Sequence, residues 1–172
     1  MLTKIDLCAM ALLKLGEKPI QSLSEDTAVA KLGRTFIDVV IDTLLSIYPW
    51  RFACRKYELI ANGDGDFDIP SDVLRIVKNN GRVLEEKIIA SDNKITIVAV
   101  VRVPPEKFPS YFASLVATKL AMEFCMPLTS DQSVFRTLAA LYETELQTAK
   151  FIDSTTSVNS QIEKFSLIDI RF

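Results

Sequence analysis

Apolar and polar positions change their period twice along the chain, dividing it into a helical, a strand-rich and a second helical segment. Thr3-Lys4-Ile5-Asp6 has the form of a capping box, with an acidic residue in the place usually held by Glu or Gln. It predicts a helix with Ile5, Cys8, Leu12 and Leu15 on one face, stopped by Gly16. After a loop containing Pro19, Ser24-Glu25-Asp26 predicts the capped start of a second helix, with acids placed favourably for its dipole. Its buried stripe is expected to run Ala28, Leu32, Phe36, Val39, Val40, Thr43, Leu44, Ile47, with Gly33 a weak point inside it. Pro49 has no backbone donor and restricts the residue before it, so this helix should end near Tyr48.

From Trp50 to Val103 the texture is that of strands. Trp50 and Phe52 alternate with polar Arg51, as in a half-buried strand, and Pro49, Trp50 and Phe52 form a candidate structural junction between two layers of core. Tyr57-Glu58-Leu59-Ile60, Phe67-Asp68-Ile69 and Val73-Leu74-Arg75-Ile76-Val77 read as strands, and Lys94 to Val103 is rich in β-branched residues. Asn62-Gly63-Asp64-Gly65-Asp66, Asn79-Asn80-Gly81 and Ser91-Asp92-Asn93 are turn signals. The pattern predicts an antiparallel meander of about five strands.

Pro104-Pro105 closes that segment, and a third helix is expected from Phe108 or Pro109 to Met126, ended by Pro127. Ala113, Ala117 and Ala121 recur at i+4, leaving room for a neighbouring helix, while Phe112, Leu115, Val116, Leu120 and Phe124 supply bulk. Ser130-Asp131 is placed to cap a fourth helix whose inner face reads Phe135, Leu138, Tyr142, Leu146, Ala149. After Lys150 the chain turns polar through Asp153 to Ser160, a poor core former. It then finishes on Phe165, Leu167, Ile168, Ile170, Arg171 and Phe172. An apolar end on a polar tether either folds back on its own core or docks on another subunit.

The expected fold class is α+β: a four-helix bundle with a small antiparallel β-sheet inserted between the second and third helices, and an extended C-terminal tail. Residues 1–150 would form one domain, helical over 1–49 and 104–150 with the β insertion at 50–103, and 151–172 a flexible docking tail. A chain of 172 residues, 49% hydrophobic, suits one buried core with a subsidiary lobe. The net charge of −2 gives no electrostatic case for nucleic acid held on a basic face. Cys8, Cys54 and Cys125 are odd in number and widely spaced without a CxxC, and read as small buried hydrophobes in a reducing compartment. The N-terminus lacks the apolar core of a signal peptide, and no apolar run approaches the roughly 20 residues of a membrane span. The expectation is a soluble protein made in a cytoplasm, with no membrane contact.

Candidate chemistry thins out quickly. The absence of histidine removes imidazole acid–base catalysis, histidine-assisted nucleophiles and histidine-ligated metals. Asp64-x-Asp66-x-Asp68 invites a calcium loop, but an EF-hand needs glycine at its sixth position and glutamate at its twelfth. Counted from Asp64 those positions hold Ile69 and Arg75, and from Asn62 they hold Phe67 and Val73, so the run reads as a solvated turn. Gly63-Asp64-Gly65 lacks the third glycine and following helix of a dinucleotide fingerprint, and no Gly-Lys-Ser/Thr occurs. Glu143 and Glu145 lie about 200° apart on a helix, so they are no acid–base pair. Arg51, Arg55, Lys56 and Tyr57 interleave cations with aromatics, which on a net acidic chain reads as a solvated sheet face. The chain reads as a non-enzyme with no catalytic residue, cofactor or metal.

Several segments, in order, resemble the bacteriophage head–tail adaptor family often called tail tubular protein A. They are Ala11-Leu12-Leu13-Lys14-Leu15-Gly16-Glu17-Lys18-Pro19-Ile20 and Asp26-Thr27-x-x-Ala30, then Tyr48-Pro49-Trp50-Arg51-Phe52-Ala53 with Arg55 and Leu59. Ile69-Pro70-x-Asp72-Val73-Leu74-Arg75-Ile76 and Pro105-x-x-Phe108 follow, then the helix pair from Leu115 to Lys150 joined by Pro127-Leu128-Thr129-Ser130-Asp131. Pro-Trp-x-Phe-Ala and Ile-Pro-x-Asp are the most specific of these. The resemblance implies a homo-oligomeric ring, a dodecamer if it matches the portal's symmetry, between the portal protein and the tail nozzle protein of a short-tailed phage or prophage particle. Its place would be the virion neck, after synthesis in the host cytoplasm. Genomic DNA would pass through the lumen without specific binding, and Phe165, Leu167, Ile168, Ile170, Arg171 and Phe172 would dock on the portal. The other readings are a small binding module or host regulatory protein acting through the β insertion, and a metal-dependent enzyme using the acids from Asp64 to Asp72.

Overall fold

A computed structural model describes residues 1–62, 65–79, 81–84, 87–90 and 93–155, with the backbone alone described at 82–84. Over the described residues the fold is α+β, with four helices and small antiparallel sheets. The helices are α1 (Lys4–Lys14), α2 (Ala28–Ile47), α3 (Ser110–Thr129) and α4 (Gln132–Thr155). Between α2 and α3 run β1 (Cys54–Ile60), β2 (Asp66–Asp68), β3 (Val73–Lys78), β4 (Arg82–Leu84), β5 (Lys87–Ile89) and β6 (Lys94–Val101).

Helix ends follow their capping chemistry. At α1 the Thr3 hydroxyl accepts from the Asp6 backbone N–H at 3.2 Å, and the Asp6 carboxylate accepts from the Thr3 N–H at 2.8 Å. The cap of α2 is Thr27, whose hydroxyl accepts from the Ala30 N–H, and not the expected Ser24-Glu25-Asp26. The Glu25 carboxylate instead accepts from the Gln21 and Ser22 N–H groups, bracing the loop ahead of the helix. α2 ends at Ile47 with Tyr48 extended before Pro49, as the proline requires. Pro127 does not end α3: it sits in the last turn, and Ser130 closes the helix with a left-handed φ of 53°. Asp131 caps α4, its carboxylate accepting from the Ser133 and Val134 N–H groups, which lower its pKa.

The helices are arranged around α3 and not as the expected four-helix bundle. α3 packs on α1, α2 and α4. Phe112, Leu115, Val116, Ala117, Leu120, Ala121 and Phe124 are fully buried along it, so it is apolar on nearly every side, as an interior helix must be. For the same reason Ser110–Thr129 is long and apolar enough to cross a membrane, which corrects the expectation that no run reaches that length. Here more than half of that run is buried inside the fold.

Two faces are rotated from their expected positions. α1 buries Leu7, Cys8, Ala11 and Leu12, leaving Ile5 and Leu15 half-buried. α2 buries Ala30, Gly33, Ile37, Val40, Ile41, Leu44 and Leu45, while Val39 stays 62% exposed and Ile47 41% exposed. Gly33 explains the turn. A Cβ there would lie 2.9 Å from a Leu23 methyl and 3.3 Å from the Cys8 sulfur, so α2 approaches α1 and its loop most closely at the one position without a side chain.

The strands form two three-stranded antiparallel sheets, ordered β1-β6-β3 and β2-β5-β4. This replaces the expected meander, because β6 returns between β1 and β3. Its Ile95, Ile97, Ala99, Val100 and Val101 are all buried, which fits only a central strand. β1 and β3 carry Arg55, Lys56, Glu58, Arg75 and Lys78 outward, as charged edges do. Phe67, Ile88, Ile95, Ile97 and Ala99 make a second, smaller core, with Tyr57 and Val73 touching both cores.

Candidate functional site at the helix–sheet junction

The junction residues lie where α2, the first sheet, α3 and the end of α4 meet. Trp50 and Phe52 are not on a strand: Arg51–Ala53 is a short 3-10 turn, and β1 begins only at Cys54. The turn follows from the indole. Trp50 is fully buried, and its N–H donates at 2.7 Å to the Leu44 carbonyl, one of the four left unpaired at the end of α2. That bond folds the chain back over the helix end, and the Ala53 and Cys54 N–H groups then donate to the Trp50 carbonyl. Tyr48 and Phe112 meet the indole edge-on, with ring centroids 4.9 Å apart for Tyr48–Trp50 and 5.1 Å for Trp50–Phe112, while Phe52 lies tilted at 6.4 Å and Phe108 packs edge-on against Phe52 and Phe112.

Asp153 seals this knot from the far end of the chain. It is almost fully buried, and its carboxylate accepts from the Arg51 backbone N–H at 3.1 and 3.2 Å and from the Tyr111 hydroxyl at 2.8 Å. Burial first, and then that hydrogen bond, push the Tyr111 hydroxyl well above the ordinary tyrosine pKa. Burial, and the carboxylate second, also raise the Cys54 thiol. Beside it the Lys150 ammonium lies 5.8 Å from the centre of the Tyr48 ring. The end of α4 is therefore fixed to the end of α2, and the helix continues five residues beyond Lys150, where a tail was expected to begin.

Glu145 makes a second tie. Its carboxylate accepts from the Ser114 hydroxyl at 2.9 Å and from the Thr118 hydroxyl, and pairs with Lys14 at 3.4 Å, joining α3, α4 and α1. A cleft of about 470 Å³ opens between α1, α2 and the loops flanking the strands. Its charges are matched: Lys4 with Asp38, Arg102 with Asp42 through two bonds, and Asp72 accepting from the Tyr57 hydroxyl at 2.7 Å. Among the described residues, no group of three or more acids or cysteines could hold a metal ion, and no buried side-chain polar atom lacks a partner. Asp66 pairs with Lys87 at 3.2 Å across β2 and β5, and Asp68 points outward.

Trp50 and Phe52 lie in ring contact within the main core, and half-buried Pro49 precedes them between α2 and the 3-10 turn. The six terminal residues Phe165, Leu167, Ile168, Ile170, Arg171 and Phe172 lie outside the described residues. Phe151 is 68% exposed and Ile152 is exposed, whereas Tyr111 is turned inward to Asp153. Asp153 and Glu145 were missed by reading the sequence, although a signal existed for the first. The inner positions Leu138, Tyr142, Leu146 and Ala149 continue at helical spacing to Asp153. The chain matches no protein-family model and no curated protein.

Proposed function

We propose that the chain is a structural head–tail adaptor, forming a ring between the portal and the tail of a phage or prophage particle. The observation that carries this reading is the division between interior and surface. Buried polar groups of the described residues are used in ties between elements, while Leu13, Val39, Ile47 and Phe151 present large apolar side chains outward. Val39 and Ile47 share one face of α2, and an exposed apolar face of that kind suits a copy-to-copy contact. A heterologous contact repeated by rotation closes into a ring when its angle allows. The ordered segments from Ala11 to Lys150 that resemble the tail tubular protein A family supply the identity of the ring.

In this reading the helical part packs against sister copies and the strand lobe faces the tail. The terminal segment reaches the portal, and the net charge of −2 suits a lumen that passes DNA without holding it. A strongly positive lumen in the assembled ring would refute that last part. A second reading is favoured by one observation: Ile60, Val77 and Ile89 are exposed on the strand lobe, as a small protein-binding module would need.

The test is a truncation placed by the structure. Ending the chain at Thr155 keeps the Asp153 tie, whereas ending it at Lys150 would remove that tie and confound folding with docking. The chain ending at Thr155 should fold as before and lose binding to the portal ring. Undiminished binding would overturn the docking role of residues 156–172.

A further inference from the structure

Beside the buried face, α2 carries a stripe of Leu32, Phe36, Val39 and Ile47, with polar Thr43 between the last two, all within about 80° of arc; Leu32 and Phe36 also touch the core. Leu32 and Phe36 are half-buried, Val39 and Ile47 are exposed, and the stripe is about 22 Å long. The chain supplies an occupant of matching chemistry. Phe165, Leu167, Ile168, Ile170 and Phe172 follow the polar residues 156–164. Where that segment starts is fixed: Asp153 is bonded to Arg51, and Lys150 lies over Tyr48, the residue after Ile47. The stripe therefore begins at the corner of the molecule where the described residues end.

Reach is ample. Residues 156–164 span up to about 30 Å, against about 12 Å from Ile47 back to Val39. Residues 165–172 could cover up to about 27 Å when extended, the length of the whole stripe. A short tether also gives its end an effective concentration in the millimolar range, so even a weak apolar contact is well populated.

We propose that residues 165–172 cover the Leu32–Ile47 stripe of their own α2 before assembly, masking an oligomerisation surface. The contact itself stands on the placement of the stripe and the tether. Its consequence rests on the adaptor reading: a portal that takes the terminal segment uncovers α2 for the neighbouring copy, so that copies join where a portal is present.

The test needs no portal, so its failure is distinct from failure of the adaptor reading. A labelled peptide of residues 156–172 is titrated against the chain ending at Thr155 and against the full chain. Saturable binding to the shortened chain is expected, at least tenfold weaker to the full chain, whose own segment occupies the stripe. Val39→Asp with Ile47→Asp should weaken binding to the shortened chain at least tenfold while leaving its circular dichroism unchanged. The full chain carrying Phe165→Asp, Ile168→Asp and Phe172→Asp should bind the peptide as the shortened chain does, which guards against a folding defect of the truncation. No binding to either open form, equal binding to full and shortened chains, or binding that survives the α2 changes would overturn the proposal.

Discussion

Asp153 illustrates how one carboxylate can join distant parts of a chain. It stands at the C-terminal end of α4, where the helix dipole disfavours an acid, and is held there by the Arg51 N–H and the Tyr111 hydroxyl. Asp153→Ala leaves the part-buried Arg51 N–H and Tyr111 hydroxyl without this partner and should cost about 1–3 kcal/mol in urea unfolding; Tyr111→Phe should cost about 1 kcal/mol. The two losses should not add, since both belong to one network. Its position was legible in retrospect, because it continues the inner period of α4. Its partners were not, because nothing local relates residue 153 to residues 51 and 111. Cys8 gives a pH prediction. Burial raises its thiol from 9.0 to about 11, so the folded state prefers the neutral form. That contribution is intact below pH 9 and is lost as pH rises through 11, at up to roughly 1.4 kcal/mol per pH unit. Tyr57, pushed from 10.0 to about 12 by burial and by Asp72, extends the loss in the same direction. Unfolding midpoints measured from pH 8 to 11 should fall from about pH 9, and Cys8→Ala should delay the onset.

Among the elements, α2 separates what a periodic pattern can and cannot tell. Its helical period and its end at Pro49 were legible, because each depends on residues within a few positions, whereas its start lies at Thr27 and not at the expected Ser24-Glu25-Asp26. Which of two adjacent apolar stripes faces inward depends on Gly33 meeting Leu23 and Cys8, a contact between separate elements. The structure predicts Ile37→Ala to cost about 2–5 kcal/mol by equilibrium unfolding and Val39→Ala less than about 1 kcal/mol. A larger loss for Val39→Ala than for Ile37→Ala would mean that the helix is turned as the sequence pattern first suggested. β6 teaches the same lesson for sheets. Its β-branched run spelled a strand, but its place between β1 and β3 follows from burial on both faces. Trp50 was legible as a junction and illegible as a turn, since the turn depends on its indole reaching the Leu44 carbonyl.

For the whole molecule, α3 is the centre on which α1, α2 and α4 pack, and the strand lobe is joined to it through the Trp50 knot. The α+β class, the order of the helices and the strands β1, β2, β3 and β6 were legible in the sequence, whereas β4 and β5, and with them the second sheet, were not. The arrangement around one central helix was not, because the apolar faces of four helices allow more than one packing. The proposed role makes this body a repeating unit of a ring seated on a portal. Sedimentation or native mass spectrometry of the purified chain, alone and mixed with a short-tailed phage portal ring, checks this most directly. A low-order species is expected alone and, with the portal, a single complex holding a full ring of copies. A portal ring whose mass is unchanged by excess chain would contradict it.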